Sequence, residues 1–268
     1  MVAGFAFSIF LPLTGAVVHA YGWRSAALVL AAIHGALTIP LHTAVLRRAP
    51  AGARHSRRDP RLGSARRAAV RTALRDRHFW LLTAAFVAHA AALSALSVHL
   101  VAYLIEAGHP ATFAAAVAGL LGVLSVTGRL ATTGLQRRLP PTTVVAAVFA
   151  LQALAAASLP LTGRSSTGAT IAVAGFGIGF GVATIARPAL LAARYGTTGH
   201  ATIAGLLTVP MTVAKAGAPL GAAALQGAAH GYTPVLVAVS LACTVAAAAV
   251  ASAGRVNAKE PRVHPSTG

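Results

Sequence analysis

The chain has 268 residues, of which 56% are hydrophobic and only 10% charged, against about 25% charged in an ordinary soluble domain; its mean hydropathy is +0.72. That balance excludes a water-soluble globule and fits a chain that crosses lipid in runs of about 20 residues. The formal net charge of +18 would point to nucleic acid in a soluble protein. Here the rest of the chain leaves no water-facing surface for a basic domain, so nucleic acid is excluded as a partner and the lipid bilayer takes its place.

In chain order, the first apolar run covers 2–20. It lacks the positive leader of a secretory signal and therefore reads as a membrane span. A short link, YGW at 21–23, leads to a second run over 25–46. The stretch from Arg47 to His78 then interrupts the apolar pattern with eleven of the twenty-two Lys and Arg residues. Its first part, with Pro50, Gly52, Pro60 and Gly63, predicts irregular chain. From Ser64 to Arg77 the spacing predicts a helix with Arg67, Arg71 and Arg75 on one face, suited either to anionic headgroups or to a solvated linker. Six more runs follow at 79–105, 111–135, 142–161, 169–190, 201–225 and 233–253. The expectation is an all-α polytopic membrane protein with about eight transmembrane helices.

The links test that reading, because Lys and Arg collect on the cytoplasmic side of a membrane. With eight spans, one side receives the long loop, Arg137, Arg138, Arg187, Arg194 and the tail residues Arg255, Lys259 and Arg262, whereas the other receives only Arg24 and Arg164. Both termini are therefore expected in the cytoplasm and the protein in the plasma (inner) membrane. The remaining links, at 106–110, 162–168 and 226–232, are short enough to make consecutive helices antiparallel neighbours. Trp23 and Trp80 fall at predicted interfaces, where aromatic belts form.

Glycine carries a packing signal. Gly175, Gly177, Gly179 and Gly181 form two interleaved small-xxx-small pairs, and Gly217 with Gly221 forms another, a pattern that brings helix backbones together in lipid. The first four do not make a dinucleotide loop: no strand precedes them and no acidic residue follows. Cys243 is the only cysteine, so neither an intrachain disulfide nor a cysteine metal site is possible.

Three stretches resemble the major facilitator superfamily, the twelve-helix transporters built from two six-helix halves. Gly22-Trp23-Arg24 resembles the outward turn between the family's fifth and sixth helices. Gly128-Arg129 through Gly134-Leu135-Gln136-Arg137-Arg138 resembles its cytoplasmic link between the eighth and ninth, with Arg137 where the family carries an aspartate. Arg187-Pro188 through Tyr195-Gly196 to Gly217-Ala218-Pro219-Leu220-Gly221 is similar to the tenth-to-eleventh link and the eleventh helix. The resemblance implies a partial major facilitator fold. In it, 1–46 are the last two helices of the first half, 47–78 the central cytoplasmic linker, 79–253 the six-helix second half and 254–268 a cytoplasmic tail. It implies transport of a small solute by a secondary transporter. Because only two spans precede the linker where six are expected, it also implies either a truncated product without transport activity alone or a chain that needs missing N-terminal helices or a partner chain.

Ionisable residues inside a span are functional candidates because burying charge in lipid costs at least about 2.5 kcal/mol. No span holds an acidic residue, which argues against a carboxylate proton relay. Lys215, near the middle of the seventh run, either attracts an anionic substrate group or reaches a backbone carbonyl or cavity water. The superfamily's monocarboxylate and oxalate carriers use basic residues in this half, so a small organic anion is the implied solute. His89 and His99, ten residues apart, are separated by about 100° of helical rotation and are not a metal pair. Either one contributes to the substrate site, and to coupling with a proton or other ion, or it is a neutral histidine bonded to a neighbouring helix. Gly128, Arg129, Gly134 and Arg138 are the expected gating or cytoplasmic motif, and Arg187 is expected to snorkel to the surface. Ser94, Ser97, Ser125, Thr127 and Thr184 are candidates for a polar path. Asp59, Asp76, Glu106 and Glu260, the four acids, lie in loops or the tail, so no catalytic constellation, enzyme activity, metal or cofactor is expected.

Overall fold

The computed structural model describes residues 6–46, 60–196 and 200–259. The start of the first predicted span, the loop residues 47–59 including Asp59, and the tail from Glu260 lie outside the described residues. Within them the protein is helical throughout, as lipid requires, since a helix satisfies its own backbone polar groups. The helices are α1 (Ala6–Leu46), α2 (Pro60–Arg75), α3 (Arg77–Glu106), α4 (Ala111–Leu135), α5 (Pro141–Thr162), α6 (Ser166–Phe180), α7 (Val182–Tyr195), α8 (His200–Ala229) and α9 (Thr233–Lys259). Among the described residues, seven segments are long and apolar enough to cross a membrane, with α6 and α7 together making one of them.

Three boundaries depart from expectation. The predicted link at 21–23 is helical except at Gly22, whose φ of 76° and ψ of 163° break α1 in a region that only glycine enters freely. The predicted irregular chain at 60–63 is instead the first turn of α2, opened by Pro60, whose fixed φ and missing N–H suit a first helical position. The sixth predicted run is divided at Gly181 (φ −97°, ψ −10°) into α6 and α7.

From α3 onward the helices close into one bundle. α9 packs on α3 and α5, α8 on α3, and α6 on both α4 and α5. Side-chain bonds fix which ends lie together. At one end the Asp76 carboxylate caps α3 by accepting from the His78 N–H at 2.9 Å, accepts from Tyr195 Oη at 2.8 Å, and pairs with Arg194 Nε at 3.2 Å. Burial pushes the Asp76 carboxyl up, but the hydrogen bonds from Tyr195, from the His78 backbone and from Arg194, with the guanidinium charge, outweigh it and hold the group below the usual carboxylate range. His78 Nδ1 also donates to the Ala253 carbonyl. At the other end Tyr103 Oη donates to the Leu159 carbonyl at 2.6 Å and His109 Nε2 to that of Gly163 at 2.7 Å. The helices therefore alternate in direction, with Arg137, Arg138, Arg194 and Arg255 gathered at the Asp76 end.

The glycine signal divides in two. On α6, Gly175 and Gly179 face α5, at Ala155 and Gln152, while Gly177 faces Leu121 and Leu124 of α4 and Gly181 faces Ser125 and Arg129. The two interleaved pairs thus serve two different neighbours. Gly128 of α4 returns the contact: a side chain there would overlap the Ile178 carbonyl. The third pair behaves otherwise. A Cβ at Gly217 or Gly221 would meet nothing within 4 Å, so among the described residues no helix approaches closely at this pair, although α8 packs on α3 elsewhere. α1 is also thinly packed: it lies against α4, and its apolar window is 6% buried.

Candidate functional site

α3, α4, α6, α7 and α8 surround a cavity of about 450 Å³. Lys215, Arg129, Arg187 and His89 line it together with Ser94, Ser97, Ser125 and Thr184. Four of the five hydroxyl residues singled out from the sequence are thus on its wall. Thr127 is the exception; it is exposed and bonds its own helix at the Val123 carbonyl. Among the described residues the lining contains three cationic side chains and no carboxylate. Among the described residues, the sole ion pair is that of Asp76 with Arg194 at the end of the bundle. The cavity is therefore suited to negative charge.

Each cation is positioned by a different local device. Lys215 lies four residues before Pro219, within α8. Proline has no N–H, so the carbonyl of Lys215 loses its helical partner. Ser94 Oγ of α3 donates to that carbonyl at 2.7 Å and so pins α8 to α3 beside the lysine. Arg129 Nε donates to the Gly181 carbonyl at 3.2 Å, and Thr184 Oγ1 donates to the same oxygen at 2.6 Å. The break between α6 and α7 is thereby held by a residue that also lines the cavity. Arg187, half-buried, lies on the cavity wall. Its Nη1 donates to Met211 Sδ at 3.3 Å, and a thioether, a weak acceptor, leaves the positive charge uncompensated.

His89 lines the cavity but is almost fully buried. Gln152 Nε2 donates to the Phe176 carbonyl at 2.9 Å, so its oxygen is the group turned to His89, whose Nε2 donates to it at 2.8 Å. The ring stacks on Phe149 with centroids 4.0 Å apart. The second candidate histidine lies elsewhere. His99 Nε2 donates to the Pro219 carbonyl at 3.1 Å, Nδ1 accepts from Tyr232 Oη at 3.3 Å, and His99 is not among the cavity residues. The structure thus brings Lys215, Arg129 and His89 together and leaves His99, Gly134 and Arg138 apart. Gly134 and Arg138 are exposed at the end of α4.

Two residues, Arg187 on the cavity wall and Gln152 behind it, do not stand out in the sequence as substrate contacts. Arg187 reads there as a surface residue because it lies near the end of a hydropathic run. Gln152 was passed over, although a lone amide in the 22-residue helix Pro141–Thr162 is itself a signal of a buried polar contact.

The model of the Major Facilitator Superfamily matches residues 1–219. The chain belongs to this superfamily. No curated protein matches it. Family membership and the apolar helices make it a multi-pass membrane protein of the major facilitator transporter type, with lipid and a small solute as the partners that type implies. The match extends through Lys215 and Pro219.

Proposed function

We propose that this major facilitator protein carries a small organic anion, which binds in the cavity between α3, α4, α6, α7 and α8. The observation that carries the reading is the set of three cations, Lys215, Arg129 and Arg187, around a cavity lined by no carboxylate among the described residues. In a site partly shielded from water, a charge-assisted hydrogen bond to a carboxylate is about twice as strong as a neutral one. Lys215 is the principal contact, because its ammonium end has no described side-chain partner. Arg187 adds charge, and Arg129 links the cavity to the α6–α7 break. The excess of basic residues at the Asp76 end supports an orientation with that end, both termini and the 47–78 linker in the cytoplasm of a plasma-membrane protein. In this reading 1–46 are the last two helices of one bundle and 79–253 form the six-helix other.

Reconstitution of the purified chain in liposomes, with labelled lactate and oxalate as probes, tests the reading. Lys215→Ala is expected to lower uptake at least tenfold, the loss of about 1.4 kcal/mol of anion binding, with membrane abundance unchanged. Lys215→Arg is expected to retain part of the uptake. Uptake unaffected by Lys215→Ala sinks the role of the lysine. A second reading, that the chain transports only when further helices join it, is favoured by the thin packing of α1, 6% buried in its apolar window. Flux of either probe through the purified chain alone would reject it.

A further inference from the structure

We propose that the exposed face of α2 formed by Arg67, Arg71 and Arg75 is a binding surface for anionic phospholipid headgroups. α2 is anchored rather than free: Ala73 is fully buried, Val70 is half-buried, and the helix lies against α8 and α3. Steps of four residues advance about 40° each, so the three arginines occupy one arc of about 80°. All three are exposed. Among the described residues no carboxylate is paired with them. The adjacent acid, Asp76, is engaged by Arg194 and Tyr195.

The level of this face relative to lipid is marked by two neighbours. Leu74, 42% exposed, lies about 20° around the helix from Arg67, at the edge of the arginine arc. Trp80, 54% exposed, donates its indole Nε1–H to the Leu74 carbonyl at 2.9 Å. An exposed leucine beside an indole with its polar edge satisfied belongs where hydrocarbon gives way to headgroups. With Leu74 and Trp80 at that boundary, the adjoining arginine arc would meet headgroup phosphates. Guanidinium groups match phosphate oxygens in a two-bond geometry, and a row of them with no carboxylate partner among the described residues attracts anionic headgroups.

The protein supplies its own reporter. Its two tryptophans are Trp23 and Trp80, so Trp23→Phe leaves Trp80 alone, tied to α2. The full chain with this change is placed in phosphatidylcholine nanodiscs containing the same fraction of either brominated phosphatidylglycerol or brominated phosphatidylcholine. The brominated anionic lipid is expected to quench Trp80 about twofold more than the neutral one, and salt on the order of 0.5 M to weaken that preference. Substituting Arg67→Gln, Arg71→Gln and Arg75→Gln together is expected to remove the preference, and the corresponding three lysine substitutions to keep it. Equal quenching by the two lipids in the parent protein overturns the proposal and assigns the face to the aqueous side. A preference that survives the glutamine substitutions overturns it as well.

Discussion

Two walls of the cavity are built on opposite principles. The α4–α6 wall is joined backbone to backbone, with Gly128 against the Ile178 carbonyl and Gly177 and Gly181 against α4. The α8 wall carries Lys215, has its apolar window only 17% buried, and points Gly217 and Gly221 into open space. The same small-xxx-small spacing occurs on both. In lipid there is no hydrophobic drive to bring two helices together, so small residues permit close approach without compelling it. What decides is whether the partner helix brings a matching surface, as α4 does with Gly128.

The largest test of this contrast is a bulky side chain on each wall. Gly128→Leu is expected to abolish recovery of folded, monodisperse protein, because the obstacle is backbone that cannot turn aside, and forced repacking costs about 1–3 kcal/mol or more. Gly217→Leu is expected to leave recovery unchanged. Size-exclusion profiles of the two variants in detergent measure it, and equal behaviour would remove the distinction.

A smaller effect is expected from the polar brace of the tight wall. Gln152→Leu leaves the His89 N–H without its acceptor and removes a donor from the Phe176 carbonyl, a loss of about 1–3 kcal/mol. The unfolding midpoint should fall clearly. Ser94→Ala, the matching change on the loose wall, should lower it less, since exposed groups there can find water. A larger drop for Ser94→Ala would reverse the assignment of rigid and loose sides.

The smallest effect belongs to the end of the bundle that both walls share. Asp76 is held below the ordinary carboxylate range in the folded protein, so its contribution is present above the unfolded carboxylate value and fades as the pH falls through the lowered folded value. Asp76→Asn should cost about 1 kcal/mol at neutral pH, as expected for a partly exposed pair. It should also flatten the loss of thermal stability on acidification. Melting curves between neutral and strongly acidic pH check both, and an unaltered acid limb would exclude Asp76 as its source.

The spans were legible because a run of about 20 apolar residues admits few other structures, and Lys215 was legible because a charge stands out in such a run. The break at Gly181 was not, since hydropathy is continuous from Ser166 to Tyr195 and a local change of ψ leaves no mark on it. The direction of Arg187 was hidden for a related reason. Its position suggested the nearby surface, yet the side chain follows Met211, a neighbour 24 residues away in sequence. His89 and His99 looked alike as isolated imidazoles in one helix; only their partners, Gln152 for one and Tyr232 with the Pro219 carbonyl for the other, separate a cavity-wall residue from one outside it.

The missing N–H of Pro219 has a mechanical consequence for the loose wall. Sliding α8 along α3 would carry the bare carbonyl of Lys215 away from the Ser94 hydroxyl, at the cost of that hydrogen bond. Tilting α8 about that point keeps the bond. The proline and the serine together act as a pivot, favouring rotation over translation for the helix that carries the lysine.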